Sequence, residues 1–407
     1  MKRWLAALPV LCAAAFPLHP RATTPVLILW VVSVVWAAWR PPGTPRRVER
    51  PVAWWAGWIQ YAFIALGLLA TEDMDSGWFA LEVKISLLLM PLLWSATARW
   101  VDISRTQLAN GLFVGLLISA VWGGGNALWA SAVMGDHSGW RYAELSGAMH
   151  PTYSSWYWAM GAALWLSDAG RKRAAVGAVV AGLMLGLLAS KAGWIAGVAV
   201  FGWAVVKGGH RWAGALGLAS LLLAGATVGQ GRALEWLEGM QEAAPVEVST
   251  SAGEVERKSG STAGRLQSWR AAWSVMQEHP WGVGTGDVRS ALVSEYRKVG
   301  AEYAAEHRMN AHNAYLEAGV AFGVPGLLWL VGWWGSVLVV AWRRRDVHAW
   351  AFVGLAMWMG LTESTFELQS GVVWMAFGFW AWGPMRVGGV RSDASGSKPP
   401  SARPFLG

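Results

Sequence analysis

The sequence predicts an all-α polytopic membrane protein, with about 12 transmembrane helices and one large, partly helical periplasmic loop. Three observations predict it. Of 407 residues 55% are hydrophobic and only 14% charged, where a soluble domain carries nearer a quarter charged. The apolar residues fall in runs, several of them reaching the roughly 20 residues that cross a bilayer core at a rise of about 1.5 Å. Unpaired backbone groups are not tolerated in lipid, so such runs must be helices. The basic residues then cluster in alternate connections between the runs. The 32 tryptophans fit an interfacial role, and many of them serve equally well as packing bulk.

The spans are read at about 4–19, 24–39, 52–70, 79–97, 107–133, 152–168, 174–189, 192–206, 212–228, 319–342, 348–363 and 371–385. The first follows Met1-Lys2-Arg3 and ends in Ala13-Ala14-Ala15, as a signal peptide would. A second run begins a few residues later, so the first reads as a retained helix. The third follows basic residues between Arg40 and Arg50, and the fourth follows the acidic turn Thr71-Glu72-Asp73-Met74-Asp75. The fifth follows Arg99 and Arg105, and the sixth starts after Pro151. The stretch 174–206 is too long for one helix and barely long enough for two. A hairpin tip is therefore placed at Ser190-Lys191, because a lysine deeper than the interface is costly. The ninth span follows Lys207 and Arg211, the tenth ends in Arg343-Arg344-Arg345, and the last ends at Arg386.

With this count Lys2/Arg3, Arg40 to Arg50, Arg99/Arg105, Arg171-Lys172-Arg173, Lys207/Arg211, Arg343-Arg344-Arg345 and Arg386/Arg391 share one side. The positive-inside rule makes that side the cytoplasm, with both termini there; in bacterial terms, for an inner-membrane protein, the other side is the periplasmic face. The net charge of +8 thus sets orientation and does not imply nucleic acid. The organisation is helices one to nine in 1–228, a loop domain at 229–313, helices ten to twelve in 314–387, and a disordered tail at 388–407 rich in Ser, Pro and Gly. Cys12 is the single cysteine, which excludes an intrachain disulfide and a cysteine metal site. Leu11 before it makes a lipoprotein reading poor.

Within the long outer loop, Gln241 to Gly260 is polar and weakly patterned. From Thr262 the pattern turns helical, with Leu266, Trp269, Trp273 and Met276 forming one apolar stripe and Arg265 beside it in the first turn. His279-Pro280 ends this helix, since proline cannot continue it. Gly282-Val283-Gly284-Thr285-Gly286-Asp287 follows, and a second helix runs from Val288 to Val299. The loop then re-enters the bilayer through Ala311-His312-Asn313-Ala314-Tyr315-Leu316-Glu317. Imidazole, amide and carboxylate placed at a water–lipid boundary suit a substrate with a polar head and a lipid tail.

Gly264-Arg265-Leu266-Gln267-Ser268-Trp269, His279-Pro280-Trp281-Gly282-Val283-Gly284-Thr285-Gly286, His312-Asn313-Ala314-Tyr315-Leu316-Glu317 and Gly323-Val324-Pro325-Gly326-Leu327, in this order and spacing, resemble the O-antigen ligase and O-antigen polymerase superfamily of bacterial membrane glycosyltransferases. His150-Pro151-Thr152-Tyr153 and Phe79-Ala80-Leu81-Glu82-Val83-Lys84 are weaker matches of the same kind. The resemblance implies transfer of a glycan from a polyprenyl diphosphate to a lipid A core or other saccharide acceptor, without a cofactor or metal. It does not separate a ligase from a polymerase. One departure stands out. The family usually carries Ser-Arg at the hairpin tip, with the arginine thought to bind the lipid diphosphate, and here the residue is Lys191. Lysine keeps the charge and loses the planar fork.

The chemistry needs preplaced cations for the leaving diphosphate and a base for the acceptor hydroxyl. Arg265 and Lys191 are the candidates for the first and His312 for the second, with His150, Tyr153, Asn313 and Glu317 lining or orienting the site. The bland readings are a capping role for His312, His150 and Tyr153, a snorkelling Lys191, and an Arg265 that merely pairs with Glu278 or Glu254. Glu82/Lys84 and Glu363/Glu367 either line a polar cleft or pair internally; His137, His279, His307 and Arg308 read as solvated. No clustered carboxylates on that face call for a metal. The rival class is a secondary transporter, which shows paired repeats and midplane ionisable groups. Here the polar groups gather toward one face.

Overall fold

A computed structural model of the chain describes residues 1–45, 54–207, 209–241, 262–383 and 390–391. The protein is 79% helical and all-α, and among the described residues the one sheet is a two-residue parallel pair between 103–104 and 390–391. The helices in chain order are α1 Lys2–Ala15, α2 Thr23–Trp39, α3 Trp54–Leu66, α4 Met74–Lys84, α5 Ser86–Ala98 and α6 Arg105–Trp129. There follow α7 Tyr142–Ser146, α8 Pro151–Asp168, α9 Arg171–Leu187, α10 Lys191–Lys207 and α11 Arg211–Gln241. The loop region supplies α12 Thr262–Glu278, α13 Val288–Lys298 and α14 Glu302–Glu306, and the chain returns through α15 Ala314–Arg343, α16 Val347–Gly360 and α17 Gln369–Ala381. The polar segment after Gln241, the tail after 391 and several of the arginines used for orientation lie outside the described residues.

Each expected apolar run contains a helix, and the boundaries move for local reasons. The fourth starts earlier than its apolar run, at Met74, because Asp73 caps it by accepting from the Ser76 amide at 3.0 Å. Ser104 and Gln107 form a reciprocal capping box that opens α6. The hairpin tip falls where the sequence places it, α9 ending at Leu187 and α10 beginning at Lys191, with Ala189 left-handed at φ 48° between them. By length and composition 4 stretches among the described residues can cross a membrane: Met74–Ala98, Arg105–Met134, Arg211–Val228 and Ala314–Arg343. Thr23–Trp39, Ala56–Ala70 and Val347–Gly360 are shorter apolar helices. α8 fails an apolarity test for a physical reason. Pro151 to Leu166 is buried without interruption, so Thr152, Ser154 and Ser155 meet protein on every side.

Close packing rests on small residues. A Cβ on Gly182 of α9 would strike the Gly217 carbonyl of α11, and one on Gly115 of α6 would strike that of Ala14 in α1. Aromatic side chains fill the centre: Trp374 of α17 meets Phe16 and Tyr157 edge-on, at 4.9 and 4.7 Å between ring centroids. Ile28, Val32, Val121, Leu223 and Leu328 stand exposed on the outside, an apolar surface suited to lipid.

The bundle has two polar ends. At one, Arg105 clasps Asp346 through both terminal nitrogens, at 2.8 and 2.9 Å, and donates to the Gly383 carbonyl at 2.7 Å. His348 pairs with Asp168 there at 2.8 Å, and Arg171 lies over Trp212 at 5.2 Å. Asp346 also caps α16 through the Ala349 amide. Replacing Asp346 by Ala therefore strands a largely buried guanidinium and removes a cap. The expected loss is about 3 kcal/mol or more, read as a lower melting midpoint of the purified protein. The other end carries the site.

Candidate active site

The site is built where α15 begins. Asn313 is extended, and its Oδ1 accepts from the amides of Tyr315 at 2.9 Å and Leu316 at 3.1 Å. The rest of the residue holds the 361–364 segment: Nδ2 donates to the Leu361 carbonyl and the backbone amide to Ser364 Oγ, both at 3.2 Å. Glu317, buried one turn into α15, accepts from the Ala311 amide at 2.8 Å and from Ser364 Oγ at 3.0 Å. Asn313 and Glu317 thus stitch the loop before α15 to the loop after α16. His312 sits between these anchors at φ 47°, a conformation costly to a non-glycine residue. Its amide is held by Asn310 Oδ1 at 3.0 Å and its carbonyl by Trp269 Nε1 of α12 at 3.4 Å.

This stitching brings Glu363 between two of the expected residues. Arg265 Nη2 donates to Glu363 Oε1 at 3.0 Å, and His312 Nδ1 lies 3.6 Å from Oε2, an electrostatic rather than a hydrogen-bond distance. Glu363 is buried, while the guanidinium and the imidazole each keep about a quarter of their surface open, 25% and 24%. Burial pushes the Glu363 carboxyl up, but the neighbouring His312, Arg265 and His150 outweigh it and hold it below the usual carboxylate range. His150 caps α8, its Nδ1 accepting from the Thr152 amide at 3.4 Å, and its ring is felt electrostatically by Glu363, Arg265 and His312. Tyr153 is buried one turn further on, its ring 6.4 Å from that of His150.

Lys191 lies on the flank of this assembly. It opens α10 half-buried; Gly193 just beyond packs on Ser155 of α8, and the Ala192 carbonyl accepts from Trp358 Nε1 at 2.8 Å. It therefore stands beside α8 and α16 within a turn or two of the ends that carry His150 and Glu363.

Arg265 pairs with Glu363 and not with Glu278, one of the two carboxylates the sequence suggests. Glu278 faces Lys298 at 3.4 Å, and Glu254 lies outside the described residues. The internal pairing read for the other acids splits: Glu363 belongs to the site, and Glu367 pairs with Lys84 at 2.9 Å. That second pair and Gln60, Thr285, Glu317 and Ser364 line a cavity of about 30 Å³. The stripe expected on α12 holds in part: Met276 is buried and Leu266 and Trp269 are half-buried. Trp273 is exposed, and Ser268, Ala271, Ala272 and Val275 form the buried face against α13 and α15. Small side chains let α12 approach closely, and the indole goes outward. Among the described residues no group of three or more His, Cys, Asp or Glu could hold a metal ion.

The glycine motifs explain how the loop is fixed. α15 breaks at Gly323, with φ 65° and ψ −159°. Pro325 has no amide for the Ala321 carbonyl, and the Val324 amide turns away to the Pro280 carbonyl at 2.9 Å. The carbonyls of Val320 and Ala321 are thus freed, and they accept from the amides of Val283 at 2.9 Å and Gly284 at 3.1 Å. The same loop locks onto the α3–α4 corner: Thr285 Oγ1 donates to the Ile64 carbonyl at 2.6 Å, and Asp287 accepts from the amides of Glu72 and Asp73 at 2.6 and 2.9 Å. The carbonyls freed by the break in α15 are thus paired inside protein, as a membrane setting requires.

Residues 176–331 match the family model of the O-antigen ligases, which supports membership of the O-antigen ligase and polymerase superfamily. The matched stretch contains Lys191, Arg265, His312, Asn313 and Glu317; His150, Tyr153 and Glu363 lie outside it. No curated protein matches the chain.

Proposed function

With the O-antigen ligase and polymerase superfamily as premise, we propose that this protein is a metal-independent glycosyltransferase of the ligase type. It moves a glycan from a polyprenyl-diphosphate carrier to a lipid A core or other saccharide acceptor at the periplasmic face of the inner membrane. Twelve spans with both termini in the cytoplasm suit that placement, since the paired basic residues Arg105 and Arg171 lie at the end of the bundle away from the site. The observation that carries the reading is the convergence of Arg265 and His312 on the buried Glu363, with the guanidinium and the imidazole both partly open to solvent.

In this reading four side chains share the work. His312 turns Nδ1 toward Glu363, which leaves Nε2 to take the proton of the acceptor hydroxyl. The hydroxyl oxygen bonds to the anomeric carbon as the bond from that carbon to the diphosphate oxygen breaks. The diphosphate leaves with the electron pair, and its growing charge is met by the remaining N–H groups of Arg265 and by Lys191. Glu363 stabilises the imidazolium that forms. Arg265→Ala and His312→Ala are expected to lower transfer by the purified protein roughly 100- to 10,000-fold. Either variant at wild-type turnover overturns the assignment. In a deletion strain, loss of all long chains from the lipid A core fits a ligase, whereas one attached repeat fits a polymerase.

A further inference from the structure

His150 has a second face that its capping role leaves unused. Nδ1 accepts from the Thr152 amide at 3.4 Å, so in the neutral ring the proton must sit on Nε2. Among the described residues Nε2 has no hydrogen-bond partner, and the residue is open to solvent although protein surrounds it. It is the N-cap of α8, whose first turns are wholly buried, so the positive end of that helix dipole lies behind the ring. The charged groups whose fields reach it come from three other segments: Glu363 after α16, Arg265 on α12 and His312 before α15. Burial, reinforced by Arg265 and His312 and opposed by Glu363, holds the imidazole below its ordinary range, which agrees with a ring that stays neutral.

Resting on the glycosyltransferase reading above, we propose that His150 is a second, non-basic histidine of the site. It donates Nε2–H to an oxygen of the lipid diphosphate as that group leaves. No proton is transferred in this role. The ring donates a hydrogen bond to charge that grows as the carbon–oxygen bond breaks, beside an Arg265 already half committed to Glu363. The two imidazoles then divide the work: His312 accepts the proton of the incoming hydroxyl, and His150 steadies the departing anion. This also bears on the hairpin tip, where Lys191 offers one point charge and no fork. A neutral donor at the head of α8 adds directionality to the anion site that lysine lacks.

Two substitutions separate capping from donation. His150→Asn keeps an acceptor at the place of Nδ1, and asparagine is among the best N-caps, but its amide is too short to reach as Nε2 does. His150→Gln places its amide nitrogen near the position of Nε2 and caps poorly. With a polyprenyl-diphosphate glycan and a lipid A core as probes, His150→Asn is expected to melt with the wild type. Its kcat is expected to fall roughly 100-fold with little change in KM, because the bond forms to charge that develops in the transition state. His150→Gln is expected to melt earlier while keeping turnover within about tenfold of the wild type. The proposal fails if His150→Asn turns over as the wild type does, or if His150→Gln is as slow as His150→Asn. Full turnover by His150→Asn beside an inactive His312→Ala sinks this proposal alone. A wild-type protein that transfers nothing sinks the glycosyltransferase reading and this proposal with it.

Discussion

Replacing Glu363 by Ala will lower transfer by roughly 100-fold or more, the scale set by small misplacements of reacting groups. The carboxylate spans both catalytic candidates, with Arg265 at 3.0 Å on one oxygen and His312 at 3.6 Å from the other. Without it the guanidinium loses its counter-charge and the imidazole loses the carboxylate beside Nδ1, so neither side chain keeps its position. Stability should fall by about 3 kcal/mol, the low end for breaking a buried pair, since Arg265 retains some water. Glu363→Gln keeps the shape and one acceptor for Arg265 but cannot support an imidazolium, so its kcat should drop while KM changes little. The pH dependence has a definite sign. A carboxyl held below its usual range adds stability that is complete above about pH 4.5 and lost as pH falls through the depressed folded value. Melting midpoints of wild type and Glu363→Gln should therefore converge on acidification. A constant gap down to the acid limit would contradict the pairing.

Gly323→Val should yield little folded protein, a loss above about 4 kcal/mol from a single position. At φ 65° and ψ −159° the backbone is in a region that is essentially glycine-only, and any Cβ would run into the Pro280 carbonyl. Displacing the 279–287 loop would also break its hydrogen bonds to Val320, Ala321 and Val324, leaving buried polar groups unpaired at about 1–3 kcal/mol each. Gly323→Ala is the milder test. It should fold, melt several degrees earlier, and be cut faster by proteases within the loop. An alanine variant with wild-type melting and protease resistance would show that the break in α15 is not imposed by this contact.

How far the sequence foretold these features differs from one to the next. The helices were legible because apolar runs, proline stops and capping residues act locally: Pro280 ends α12, and the run of 174–206 divides at Ser190-Lys191. That Arg265, His312 and Glu363 belong to one face followed from counting spans. Their contact did not, since Arg265 and Glu363 are 98 positions apart and nothing local marks a lone glutamate as a partner. The only hint was that Glu363 closes the eleventh expected span, 348–363, at its outer end. Gly323-Val324-Pro325-Gly326 was visible as a motif, but its meaning depends on the Gly282–Gly284 segment packing against it. On α12 the exposed Trp273 was missed for a related reason: hydrophobicity favours tryptophan inside, whereas close approach of three helices favours alanine.

The enclosure of α8 bears on how the chain is made. A segment with hydroxyls at Thr152, Ser154 and Ser155, wholly surrounded by protein in the finished molecule, partitions poorly into lipid as it leaves the ribosome. It is expected to settle only as later-synthesised neighbours, α9, α10 and α17 among them, pack around it. Assembly and catalysis are thereby tied to the same helix, whose head carries His150.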